Sequence, residues 1–223
     1  MLEYEPPERN TPAAIERRKE FCLEAAGWNT RDIIFIDEMG FDMHRNRRRG
    51  RAPRGQRALS IRACSSGPHV TVIAAINPVH GVMHWEMLYG GVTGERYANF
   101  LENLLRHTAC HTRSMRLIID NTRIHQVQRV EEVVQAYPTR QTISYLPPYS
   151  PHLNAVEYCF APWAKYVNKH EKRNHEALLE LIRQAVATTT IEDCDGYARE
   201  VTRYHILCGQ GHPLRYRPPR QIE

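Results

Sequence analysis

The sequence predicts a layered α/β or α+β domain. Two observations lead there: short β-branched and aromatic runs alternate with stretches of helical periodicity, and two of those runs end in an aspartate. A chain of 223 residues, 42% apolar and 25% charged, has enough core-forming material to fold without disulfides or a structural metal.

Thr11-Pro12 supplies an N-cap and a first-turn proline for a helix over 12–27. I-I-F-I-D at 33–37 reads as a buried central strand with Asp37 at its C-terminal end. The arginine-rich stretch that follows, with Gly50, Pro53 and Gly55, reads as a hairpin or loop excursion. V-T-V-I-A-A-I (70–76) and V-M-H-W-E-M-L-Y (82–89) are strands joined by a turn from Asn77-Pro78 to Gly81. Tyr97, Phe100, Leu101, Leu104 and Leu105 set a helix over 94–107, and M-R-L-I-I-D (115–120) repeats the strand that ends in an acid. A short helix at 127–136 and a strand T-I-S-Y-L (142–146) follow. P-P-Y-S-P (147–151) is too proline-rich for a helix. Val156, Phe160, Trp163 and Val167 form an apolar stripe on a helix that begins at Asn154, with Pro162 interrupting it, and helices at about 174–190 and 195–207 complete the order. Trp163 therefore reads as core, while Trp85 is a candidate for stacking on a base.

The net charge of +5 is concentrated: Arg45, Arg47, Arg48, Arg49, Arg51, Arg54 and Arg57 crowd one segment, a local field suited to phosphates. A solvated loop or an import signal has the same composition. The six cysteines lack paired spacing, so reduced, mostly buried thiols are expected; the closest approach to metal-ligand spacing is His107, Cys110 and His111. No apolar run reaches the ~20 residues of a membrane span, and the N-terminus lacks the apolar core of a secretory signal. The expectation is an intracellular protein without membrane partners.

Acids at the ends of neighbouring strands converge on one sheet edge, and hard oxygen ligands are what two Mg²⁺ ions need for phosphoryl transfer. Asp37 and Asp120 are candidates on this ground. Strand side chains alternate, so Glu38 must leave the face that Asp37 occupies and serve a supporting or structural purpose. Each acid has a plain alternative. Either aspartate can simply open a turn, Asp120-Asn121 especially. Glu157 lies three residues after Asn154, the spacing of a capping box, although a first-turn carboxylate can also project past the helix end.

Together I-F-I-D-E-M-G-F, L-I-I-D-N-T-R-I-H and L-P-P-Y-S-P-H-L-N-A-V-E resemble, in order, the three signature blocks of mariner-superfamily DDE transposases, and the likeness extends over roughly 30–210. It implies a ribonuclease-H-like fold: a mixed central sheet flanked by helices, with additional C-terminal helices. It also implies Asp37, Asp120 and Glu157 as catalytic and metal ligands for two Mg²⁺ or Mn²⁺ ions, without a small-molecule cofactor. Asn121, His125 and Asn154 would support them, with the Tyr149-Ser150-Pro151 turn placing the helix of Glu157. The substrate implied is double-stranded DNA, both transposon ends and target, cut and then joined by the freed 3′-hydroxyl. Dimerisation is open, and residence in the nucleus is expected for a eukaryotic host, in the cytoplasm otherwise. The division expected is a leading helix and linker at 1–28, the catalytic domain at 29–210 and a tail at 211–223.

Ala155 replaces the family's usual proline, Met39 a small polar residue, and thirty-six residues separate Asp120 from Glu157. Such transposases usually carry a DNA-reading helix-turn-helix region ahead of this core, where about thirty residues stand here, so sequence-specific DNA binding is not expected of them. A non-catalytic DNA-binding or assembly module derived from such an enzyme is accordingly the alternative, and a stand-alone nuclease for RNA hybrids a third reading.

Overall fold

Burial on both faces draws the strands into one sheet: β1 (Ile33–Phe41) opens with four buried residues, and all eight of β2 (Val70–Asn77) are buried. The computed structural model describes residues 6–43, 53–56, 69–137, 139 and 141–214. With β3 (Gly81–Tyr89), β4 (Arg116–Ile119) and β5 (Thr142–Tyr145), the order across the sheet is β3-β2-β1-β4-β5. The hairpins β1-β2 and β2-β3 are antiparallel, whereas β1-β4 and β4-β5 are parallel. The parallel pairs are joined by helical crossovers, as parallel strands require.

Side-chain alternation divides the core in two. Ile34 and Ile36 of β1 and Leu117 and Ile119 of β4 pack against α2 (Gly94–Leu105), α3 (Thr108–Thr112) and α4 (Gln128–Gln135). Ile33 and Phe35 of β1 and Ile118 of β4 face the other layer: α1 (Pro12–Ala25), α5 (Glu157–Lys169), α6 (His175–Ala187) and α7 (Ile191–Gly209). Trp163 is fully buried there and donates Nε1–H to Thr189 Oγ1 at 2.7 Å, so its reading as core holds. Trp85 is part-buried against the same layer.

The leading helix belongs to this core. Cys22 and Ala25 of α1 are buried, and Arg18, fully buried, donates to Arg9 O at 2.6 Å and to Asn10 Oδ1 at 3.0 Å. Asn10 in turn exchanges hydrogen bonds with the backbone of Leu214, so the two ends of the described chain are tied together beside α7.

Several boundaries differ from expectation. β1 does not stop at Asp37: its ladder with β2 runs on through Glu38, Met39, Gly40 and Phe41, and Asp37 sits mid-strand opposite Ala74. Pairing with β4, in contrast, ends at Phe35. The helix expected through His107 stops at Leu105, and α3 follows as a separate turn. The helix expected from Asn154 begins at Glu157 and runs through Pro162 to Lys169. α7 starts four residues ahead of the expected 195, because Thr190 and Asp193 form a capping box there.

The described cysteines are free and buried, as expected, and among the described residues no group of three or more His, Cys, Asp or Glu stands ready to hold a metal ion, that around Cys110 included. No helix of the described residues is long and apolar enough to cross a membrane.

The β2-β3 turn hangs on Asn77. Its side chain is fully buried, donates to Arg31 O and Ile33 O at 2.9 and 2.7 Å, and accepts from the amides of Val79 and His80 at 2.8 and 3.0 Å. Asn77→Ala leaves these groups without their partner, and should cost on the order of 3 kcal/mol. A urea titration checks this: the midpoint falls while the slope is unchanged.

Candidate active site

Because β4 leaves β1 after Phe35, the sheet edge beyond that point is open, and Asp120, directly after β4, lies across it from Asp37. Asp37 shares its face with Ile33 and Phe35, the face covered by α5. Glu157, the first residue of α5, reaches the same place, within hydrogen-bonding reach of Asp37. Sequence-distant acids from β1, from the end of β4 and from the start of α5 are thus neighbours.

The capping-box alternative for Glu157 does not hold. The residue preceding α5 is Val156, without a side-chain cap, and Asn154 turns toward the sheet. Asn154 is fully buried; its Nδ2 donates to Ile36 O at 3.0 Å and to Asp37 Oδ2 at 3.3 Å, while its buried Oδ1 has no hydrogen-bond partner among the described residues. It therefore docks the approach to α5 onto β1. Tyr149, in the turn before it, adopts a left-handed conformation with φ 58°, an uncommon state for a residue with a side chain. Ser150 is buried and donates to Pro148 O at 3.1 Å, and Arg9, from the leading segment, contacts His152 Nε2 at 2.6 Å.

Asp37 and Glu157 are coupled: the charge of Glu157 repels that of Asp37, while a hydrogen bond joins the two carboxyls. Burial, then the charges of Glu157 and Glu38, holds the Asp37 carboxyl well above the usual range, although Oδ1 accepts the Glu38 amide at 2.8 Å. Burial raises Glu157 too, against the lowering effect of its hydrogen bond with Asp37. Asp120 is the opposite case: despite partial burial its pKa is lowered, because His125 and Thr122 donate to it, the Thr122 hydroxyl at 3.0 Å. His125 is fully buried on the turn after Asp120. Burial alone would lower its pKa, yet its bond to Asp120 and the presence of Glu38 raise it to about 9. Asp120 is engaged by His125 and Thr122 and its charge acts on both Asp37 and Glu157, although among the described residues no three such side chains are already arranged to hold a metal ion.

Of the supporting residues expected, Asn154 and His125 are at the site. Asn121 is exposed, and its Oδ1 accepts from Gln126 Nε2, closing the turn that carries His125 without touching the carboxylates. Arg54 is exposed; Arg45, Arg47, Arg48, Arg49, Arg51 and Arg57 lie outside the described residues. Sequence reading missed Tyr97, whose ring lies 4.0 Å from that of His125, and the link from Arg9 to His152. Both are contacts between distant segments, and no local pattern announces them.

A mixed five-stranded sheet, helical layers on both faces and buried acids at the edge where β1 and β4 part define a ribonuclease-H-like domain with a carboxylate site. The chain belongs to the DDE superfamily endonuclease family, whose model matches residues 32–182. Solved structures share the fold. A Mos1 transposase paired-end complex with the left transposon end superposes with a TM-score of 0.79 at 18% identity, over 97% of this chain and 67% of that one. The Mos1 strand transfer complex superposes with a TM-score of 0.77 at 19% identity, over 97% and 67%. The catalytic domain of Mos1 mariner transposase superposes with a TM-score of 0.71 at 16% identity, over 96% and 100%. No curated protein matches the chain significantly.

The repulsion predicts a pH-dependent stability. Carboxylates whose folded pKa is raised contribute stability fully present below their unfolded pKa, near 4, and lost as pH rises through the folded value. In metal-free buffer Glu157→Gln should therefore melt a few degrees above the parent at pH 7, with the gap closing toward pH 4. Scanning calorimetry at both pH values reads the difference; a variant that melts below the parent at pH 7 contradicts it.

Proposed function

We propose that the chain is the catalytic core of a mariner-like cut-and-paste DNA transposase. It would cleave DNA at transposon ends in a divalent-metal-dependent reaction and join the freed 3′-hydroxyl to target DNA. The observation that carries this reading is the convergence of two buried acids, Asp37 from β1 and Glu157 from the start of α5, with a third, Asp120, across the open sheet edge. Buried acids gathered from three separate elements contribute little to a fold, and titratable groups perturbed by burial and by one another cluster at functional sites.

The donor set fits a hard divalent cation: three carboxylates, with excess negative charge where they meet. Asp37, Asp120 and Glu157 would hold Mg²⁺ or Mn²⁺, in line with the Mos1 paired-end complexes with Mn and with Mg, and two ions suit the chemistry. When bound, such ions activate the attacking oxygen and stabilise the leaving one. The protein's own share is placement. The β1-β2 ladder fixes Asp37, Asn154 holds α5 and hence Glu157 against β1, and His125 with Thr122 orients Asp120. In the first step water attacks a phosphodiester and the 3′-oxygen leaves; in the second that 3′-hydroxyl attacks a target phosphodiester, and the bonds exchanged are equal in number.

Double-stranded DNA is the partner this chemistry requires. In the sequence the arginine-rich segment follows β1, and its concentration of positive charge suits phosphates. Residence in the nucleus follows for a eukaryotic host. A second copy of the chain, one for each transposon end, fits the work of joining two ends.

The test is Mn²⁺- or Mg²⁺-dependent nicking of a supercoiled plasmid by the full chain beside Asp120→Asn. Activity in the parent, at least a hundredfold lower in the variant and absent with chelator, is expected. Equal activity in both, or none in either while both bind DNA alike, overturns the proposal.

A further inference from the structure

We propose that Glu38 is a positioning residue that acts through His125 to fix the orientation of Asp120, an inference that rests on the carboxylate reading above. Alternation along β1 sends Glu38 to the face opposite Asp37, the side of α2 and α4, so it cannot join the acids directly. It meets them by another route. The turn after β4 carries His125, fully buried and within reach of both Asp120 and Glu38. One ring nitrogen, Nδ1, contacts Asp120 Oδ1 and lies 3.0 Å from Thr122 Oγ1; the other, Nε2, lies 3.4 Å from Glu38 Oε2 as an ion-pair contact, both atoms being shielded from solvent and neither having a hydrogen-bond partner among the described residues.

The ring is held on its flat side as well. Tyr97 of α2 packs on it at 4.0 Å between centroids, and the Tyr145 hydroxyl donates to the His125 carbonyl at 3.2 Å. The turn comes this close to α2 because Gly94 leaves room: a Cβ there would meet Val127 Cγ2 at 2.8 Å. Ring plane, ring edge and backbone are thus each anchored to a different element. Glu38 is the anchor on the side away from Asp120, so the orientation of Asp120 is set from β1 through the imidazole. Asp37 and Glu38, adjacent in sequence, would serve one site from opposite faces of the sheet. Carboxylate-histidine links of this kind orient ligands in metal sites generally.

The test is calorimetric titration of Mn²⁺ into the full chain without DNA, with plasmid nicking as a second readout. The proteins compared are the parent, Asp120→Asn, Glu38→Met, close in volume and lacking the acceptor, and Glu38→Gln, which keeps an acceptor oxygen. Asp120→Asn should lose binding, Glu38→Met should bind about tenfold more weakly, and Glu38→Gln should recover to within about threefold of the parent. Binding by Glu38→Met equal to the parent's, with Asp120→Asn deficient, overturns the relay and leaves the carboxylate reading standing. Equal weakening in both Glu38 variants also overturns it, because the loss then follows charge and not the contact. Absent binding in the parent, or full binding by Asp120→Asn, defeats the carboxylate reading and takes the relay with it. Should Glu38→Met not fold, NMR of the parent decides: a nuclear Overhauser contact between the His125 ring and the Glu38 side chain supports the relay, and its absence overturns it.

Discussion

The site depends on how one strand is paired. β1 is bonded to β2 along nearly its whole length but to β4 only as far as Phe35. The continuous ladder keeps Asp37 rigid, and the interrupted one leaves open space beside it, into which Asp120 and the start of α5 come. Had β4 continued beside β1, its backbone would occupy the place where the carboxylates meet. Had β1 ended at Asp37, the acid would sit on a mobile terminus without the fixed geometry that catalysis demands.

A second consequence is electrostatic. Core residues around the open edge strip water from Asp37 and Glu157, which raises both carboxyls, while Asp120 is kept ionised by donors on its own turn. Like groups are thus treated unequally: burial disfavours the charged form of Asp37 and Glu157, while the donors around Asp120 favour its charged form. Such an arrangement costs stability, and a cation held as proposed would relieve it, which would couple folding to metal affinity.

Helical layers carry the supporting parts. Asn154 ties α5 to β1, Arg9 touches the turn before α5 at His152, and Arg18 with Asn10 fastens that leading segment to Leu214 at the far end of the described chain. The leading segment is therefore part of the structure that places Glu157. On the other face Tyr97 and Gly94 accommodate the turn that bears His125.

Much of this was legible in the sequence because local rules govern it. Strand runs, helix stripes, the Asn77 to Gly81 turn and the placing of Asp37 and Glu38 on opposite faces follow from periodicity, and the family likeness rests on contiguous motifs. What local rules could not decide were the competitions between partners. Asn154 had a helix to cap and a strand to hold; burial against Ile36 and Asp37 chose the strand, and Glu157 was released from the capping box. The length of β1 was set by β2, a strand some thirty residues later, whose buried ladder extended it past the acid. Glu38, Tyr97 and His125 come from β1, α2 and the turn after β4, and no spacing in the sequence relates them. Sequence by itself determined which residues could carry the chemistry, because residue type and period are local; only the tertiary structure decided which of them meet, because contacts between distant segments are fixed by packing.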